Sequence, residues 1–220
     1  MINDIKLGFK LLPYSMQYVQ SLIAFGIFIV IALMMDIFPM PFTAYVGVYY
    51  LFGMVFAVQL IHMLGASDMI QASPYKKRLQ TRIVTSIAFC MELVLVTIMI
   101  IIRMIHYFAF DYMKESVCNT LFLTSILIII LNIYMTMAMK FYWISTIFFV
   151  IAFMGIYMQI MKKIVFLKEA QYRVVSLPVG IVMCYISIVI GSVLMYGFGK
   201  LLYEKEYSPM AFRHALKRGK

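Results

Sequence analysis

The stretch Ile83–Ile102, IVTSIAFCMELVLVTIMIII, decides the fold. It holds twenty residues and one charged side chain, Glu92. A bilayer core is crossed by about 20 apolar residues of α-helix, because only a helix satisfies its own backbone groups in lipid. The run is continuous rather than alternating, which argues against a strand of a membrane barrel. It predicts a membrane-spanning helix.

This run extends over roughly Ile83–Ile105, and five others match it: Gln17–Met35, Phe42–Leu64, Val117–Met139, Trp143–Met161 and Leu177–Gly199. The chain has 220 residues, 65% hydrophobic and 13% charged, and a mean hydropathy of +0.96. That excludes an ordinary soluble domain. The expected fold is an all-α membrane protein of six transmembrane helices. The first run begins near Ser21 and ends at DIFPMP without a small-x-small cleavage site, so it reads as a membrane helix rather than a leader. A tight turn at Asp36, Pro39 and Pro41 follows it.

Residues 1–13 form a unit of their own. Ile2, Ile5, Phe9 and Leu12 share one helical face, Lys6 and Lys10 take another, and Pro13 ends the pattern. This predicts an amphipathic interfacial helix, with a disordered basic tail as the alternative. The membrane domain then covers 14–200, with an inner segment at 65–82, and a basic tail covers 201–220.

The net charge is +10, from 19 Lys and Arg against 9 Asp and Glu. The basic residues lie between apolar runs, so lipid headgroups explain them and nucleic acid is not an expected partner. With the N-terminus inside, 13 Lys and Arg fall on the cytoplasmic side and 6 outside, which predicts both termini in the cytoplasm. The outer cluster Lys162, Lys163, Lys168 and Arg173 runs against this bias.

Chemistry-bearing motifs are missing. There is no G-x-x-x-x-G-K-[ST], no H-E-x-x-H and no G-x-S-x-G. His62, His106 and His214 are scattered, and Cys90, Cys118 and Cys184 sit within or at the edges of apolar runs. The chain is therefore expected to be no enzyme, with no catalytic residue, metal site or cofactor of its own. Glu92, Gln59 and Asn132 lie at similar depth in the inner halves of their helices. They are candidates for the wall of a transport cavity, or for an interhelical hydrogen-bonding layer. Arg103 is expected to snorkel to the outer headgroups. Ser187, Gly191, Gly197 and Gly199 give the last helix a small-residue face for packing within the chain or between two copies. The many Met and Phe residues suit lipid-facing packing or a flexible lining for apolar cargo.

The inner segment GASDMIQASPYKKRLQTR, Gly65–Arg82, has two parts. Ser73 and Pro74 are a helix start, so the third membrane helix begins near Pro74. Lys76, Lys77 and Arg78 then stand in its first turn, where cations oppose the helix dipole. With Arg82 they form a basic inner surface that calls for external negative charge. Before it, ASDMIQAS predicts a short helix capped by Ser67, with Asp68 in the first turn and Met69 and Ile70 exposed for docking.

This order resembles the permeases of ABC-2 type transporters: an N-terminal elbow helix, a short inner helix between the second and third spans, a tight inner turn after the fourth, and a polar outer stretch before the sixth. The small size looks most like bacterial exporters of peptides such as bacteriocins or phenol-soluble modulins. The resemblance implies a coupling helix at Ser67, Asp68, Met69, Ile70, Gln71 and Ser73 that docks a separate cytoplasmic ATPase carrying ATP and Mg. It also implies a second permease chain, amphipathic peptide cargo and the bacterial plasma membrane. The alternative is the vitamin-binding membrane subunit of an energy-coupling-factor importer, with Trp143 as a stacking residue under outer loops.

Overall fold

The computed structural model describes residues 2–15, 17–37, 46–65, 68–160 and 175–208, and for Asp68, Met69 and Ile156 the backbone alone. The turn around Pro39 and Pro41, the cap Ser67, the cluster Lys162–Arg173 and the tail beyond 208 lie outside the described residues. Among the described residues every regular element is helical.

Six helices are long and apolar enough to cross a membrane. In chain order, α1 is Ile2–Leu11 and α2 Tyr18–Ile37. Next come α3, Val46–Gly65, and the four-residue α4, Asp68–Gln71. The remaining spans are α5 (Lys76–Ala109), α6 (Lys114–Ala138), α7 (Tyr142–Ile160) and α8 (Leu177–Leu202). α5 reaches beyond the apolar run that announced it, because the polar residues 76–82 continue the same helix.

Burial ranks the helices. In the most apolar window of each span, 61% of α3 and 67% of the region ending in α6 is buried, against 11% of α2 and 18% of α7. So α3 and α6 are central, α5 and α8 flank them, and α2 and α7 are peripheral. α2 rests on α3 through Phe28, whose ring lies 5.4 Å from Phe56 and 6.0 Å from Phe52. α7 rests on α6 through Tyr134 and Phe149, with ring centroids 4.7 Å apart. Phe149, Phe153 and Tyr157 then stack along α7 where it loosens into a π-turn over Ile151–Tyr157.

Small residues set the closest approaches. A Cβ on Gly47 of α3 would collide with Thr124 Oγ1 of α6. The buried face of α8 repeats Gly180, Cys184, Ser187, Gly191, Met195 and Gly199. Cys184 Sγ donates to Leu121 O at 3.2 Å, and Gly191 abuts Asn132. The small-residue face is thus used within the chain at Gly180, Gly191 and Gly199, while Gly197 faces open space.

Many hydroxyls are satisfied inside their own helix. Thr81, Thr97, Thr120, Thr124 and Thr136 each donate to the carbonyl four residues back, at 2.6–2.8 Å. Such groups sit in lipid or protein without a partner helix. The polar groups that bond between helices are therefore the informative ones.

α1 packs against the base of α5 with Asp4, Leu7, Gly8 and Leu11. A Cβ on Gly8 would collide with the Ile87 side chain, so the backbone of α1 rests directly on that side chain. Ile2 and Phe9 point away from this contact and are exposed, which leaves the apolar face read from the sequence free of protein at those two positions.

Candidate functional site

Three polar assemblies tie the helices together. The first is at the end carrying Lys76–Arg82, the second inside the bundle, and the third at the far end.

At the basic end, the chain returns after α8 and crosses the mouth of the bundle. Ser208 N–H donates to Met139 O at 2.9 Å. Lys140, in the turn between α6 and α7, donates from Nζ to Lys205 O at 2.6 Å and Gln80 Oε1 at 3.2 Å. Its ammonium lies 3.7 Å above the Tyr207 ring. The Tyr207 hydroxyl faces Gly65, where a Cβ would come within 2.9 Å of it. Lys77 stands 4.9 Å from the Tyr203 ring. A cavity of about 10 Å³ remains among His62, Gln80, Lys140, Gly199 and Tyr207. One segment thus links the end of α3, the base of α5 and the α6–α7 turn.

Burial, and next to it the charge of Lys76, pushes the Lys140 ammonium down to about 8. Burial pushes the Tyr207 phenol up. The unfolded chain holds the Lys140 proton more tightly than the folded one, so the penalty of burying that charge is fully present below about pH 8. It is relieved as pH rises from there toward the ordinary lysine range. The thermal midpoint of the wild type, measured relative to Lys140→Met, is expected to rise between pH 8 and pH 10. A difference that is flat or falls over that range contradicts the assignment.

The predicted docking residues lie beside this hub. Ser73 Oγ accepts from Tyr75 N–H at 3.1 Å in the turn before α5, whose N-cap is Tyr75, without a side-chain cap, rather than Ser73. Gln71 Nε2 donates to Gly65 O at 2.5 Å and draws α4 against the end of α3. That corrects the expectation for Ile70: it is half-buried and packs on the core, because a four-residue helix held this closely has no free side there. For Asp68 and Met69 the backbone alone is described, and Ser67 lies outside the described residues.

The basic surface is also corrected at one position. Arg78 finds its negative charge within the chain. Its Nε and Nη2 reach Asp4 Oδ1 at 2.9 and 2.8 Å, with the arginine 43% exposed and the aspartate 11%. Lys77 and Arg82 remain exposed, and Lys76 is half-buried.

Inside the bundle, Asn132 Nδ2 donates to Glu92 Oε1 at 2.5 Å and to Ile128 O at 3.0 Å. Glu92 is 0% and Asn132 1% exposed. The shared polar layer predicted from depth exists for these two residues. Gln59 stands apart from the pair, half-buried in a cleft of about 80 Å³ with Val55, Tyr134, Met135 and Tyr142.

At the far end, Arg103 Nη2 lies 2.7 Å from Asp36 Oδ1, and Tyr50 OH donates to Asp36 Oδ2 at 2.9 Å. Arg103 and Asp36 are both 0% exposed, and His106 is buried in the same region. Arg103 therefore does not snorkel: a carboxylate from α2 meets it inside the protein. Sequence reasoning missed this cluster. The available signal was depth, since Asp36 and Arg103 each stand near the same end of their runs.

Trp143 also departs from expectation. It follows Lys140 by three residues, so it stands at the basic end, 61% exposed, with its ring edge-on to Tyr142. That is the placement of an interfacial aromatic rather than a lid residue at the opposite face.

Among the described residues no three His, Cys, Asp or Glu side chains gather as a metal site. Cys90, Cys118 and Cys184 are not joined in disulfides among the described residues. No protein-family profile, curated protein or solved structure matches this chain.

Proposed function

We propose that this chain is the permease subunit of an ATP-driven exporter in the bacterial plasma membrane, carrying amphipathic or hydrophobic peptides outward. In this reading the basic end is cytoplasmic. α1 is the interfacial elbow helix, and Ile2 and Phe9 meet lipid. α4 is the coupling helix that docks a separate ATPase, which holds ATP and Mg, and a second permease chain completes the path.

The observation that carries this reading is the mechanical continuity at the basic end. α4 is bonded to the end of α3, and four residues later the chain enters α5, which runs 34 residues through the bundle. A push on α4 is thereby delivered to α3 and α5 together. α5 passes through a π-turn at Leu79–Ile83 just above its basic base. Such turns are where a helix yields without breaking. Tyr207 and Lys140 connect the same point to α6 and α8. The vitamin-importer reading has less support, since Trp143 stands at the wrong end and Asp36 and Arg103 are occupied by each other.

Affinity purification of the full chain from its native host, with and without Met69→Arg and Ala72→Arg, tests the proposal. Ala72 is exposed, so its substitution spares the core, unlike a charge at Ile70. The wild type is expected to bring down a nucleotide-hydrolysing subunit whose activity in vesicles rises with amphipathic peptide. The double variant is expected to lose at least tenfold of that association. Full retention by the variant removes the docking site, and an absence of any nucleotide-hydrolysing partner removes the exporter reading.

A further inference from the structure

The Glu92–Asn132 contact has two leftover atoms. Glu92 Oε2 and Asn132 Oδ1 are both buried, and neither has a hydrogen-bond partner among the described residues. The amide cannot be turned round to change this. Its Nδ2 also donates to Ile128 O, and a flip would set Oδ1 against that carbonyl. Two buried acceptors on side chains already bonded to each other, with no donor for either among the described residues, are costly.

Among the described residues no cation resolves the conflict. α1, α3, α6 and α8 pack around α5, and of their described side chains Asn132 is the one that bonds to or acts electrostatically on Glu92. Lys200 and Lys140 belong to the basic end, and Arg103 is committed to Asp36. Gly191 of α8 closes the third side against Asn132. An ionised carboxylate so placed lacks the counter-charge that membrane interiors demand.

We propose that Glu92 is a proton-binding site, held in a cyclic acid–amide pair with Asn132. With a proton on Oε2, that oxygen becomes a donor and Asn132 Oδ1 its acceptor. Asn132 Nδ2 already donates to Oε1, so the two groups close a ring of two hydrogen bonds. Both leftover atoms are satisfied at once, and α5 is fastened to α6 by a neutral contact. The ligand is a single proton. It is retained while α5, α6 and α8 stay packed, and released when that contact opens to water. This inference does not depend on the exporter reading.

Infrared spectroscopy of the full chain in phosphatidylcholine vesicles at pH 7 tests it. The wild type is expected to show the carbonyl stretch of a protonated carboxyl that Glu92→Gln lacks, and Asn132→Leu is expected to shift that band. Glutamine offers the same donor and acceptor as the protonated acid, so Glu92→Gln should melt within a few degrees of the wild type, whereas Glu92→Lys should be lost. Absence of the protonated band, or failure of Glu92→Gln to fold, overturns the proposal. If Asn132→Leu does not fold, the band assigned by Glu92→Gln still decides the question.

Discussion

Arg103→Met is expected to cost about 3–5 kcal/mol of stability, because it strands the carboxylate of Asp36 in the protein interior. The two groups are fully buried and 2.7 Å apart, and Tyr50 occupies the second carboxylate oxygen. Their Coulomb attraction offsets the cost of leaving water only while both are present. The pair also has a topological role. α2 is the least buried span, and the ring contacts through which it rests on α3 are of a kind that lipid tails imitate. Asp36 reaches past α3 to a residue of α5. The double variant Asp36→Leu with Arg103→Met removes both charges and is expected to recover most of the loss. Thermal melts in detergent, read by the surviving monodisperse protein, measure both. A single variant as stable as the wild type would show that the pair is dispensable, and a double variant no better than the single would show that the loss does not come from a stranded carboxylate.

The six spans were legible because the constraint is one-dimensional. A bilayer demands about 20 apolar residues in sequence, and no tertiary context overrides that. The base of α5 was legible by a different signal: residues 76–82 lack an apolar run, but Ser73 and Pro74 mark a helix start just before them, and α5 begins at Lys76. Which helices touch was legible only where a polar residue had a partner at equal depth. That argument linked Glu92 to Asn132, and applied to Asp36 and Arg103 it would have linked them too. It failed for Gln59, because depth says nothing about which side of a helix a residue occupies. The hub around Lys140 was invisible for a different reason. It depends on the chain beyond α8 folding back over the α6–α7 turn, and no periodicity encodes a return loop. The Asp4–Arg78 contact is of the same kind: the dipole argument asked for negative charge near Arg78 but looked for it outside the chain, whereas Asp4 supplies it from within.

Gly191→Ala is expected to destabilise the chain by about 2–4 kcal/mol, combining an overpacking cost with that of stranding buried polar groups. The added methyl would stand 2.6 Å from Asn132 Nδ2 and 3.1 Å from its Cγ. The amide must move, yet its position is fixed by Glu92 on one side and Ile128 O on the other. Moving it breaks the contact between α5 and α6 in order to preserve the contact between α6 and α8. Helix propensity works in the opposite direction, since alanine is favoured over glycine inside a helix by about 1 kcal/mol. A net loss therefore reports the collision and not the backbone. Asn132→Ser in the Gly191→Ala background supplies the space that the methyl needs. The two substitutions are expected to be strongly non-additive in a double-mutant cycle, with a coupling of about 1–3 kcal/mol. Additive effects would mean that α8 yields instead of Asn132, and the polar pair would then not depend on the closeness of the third helix.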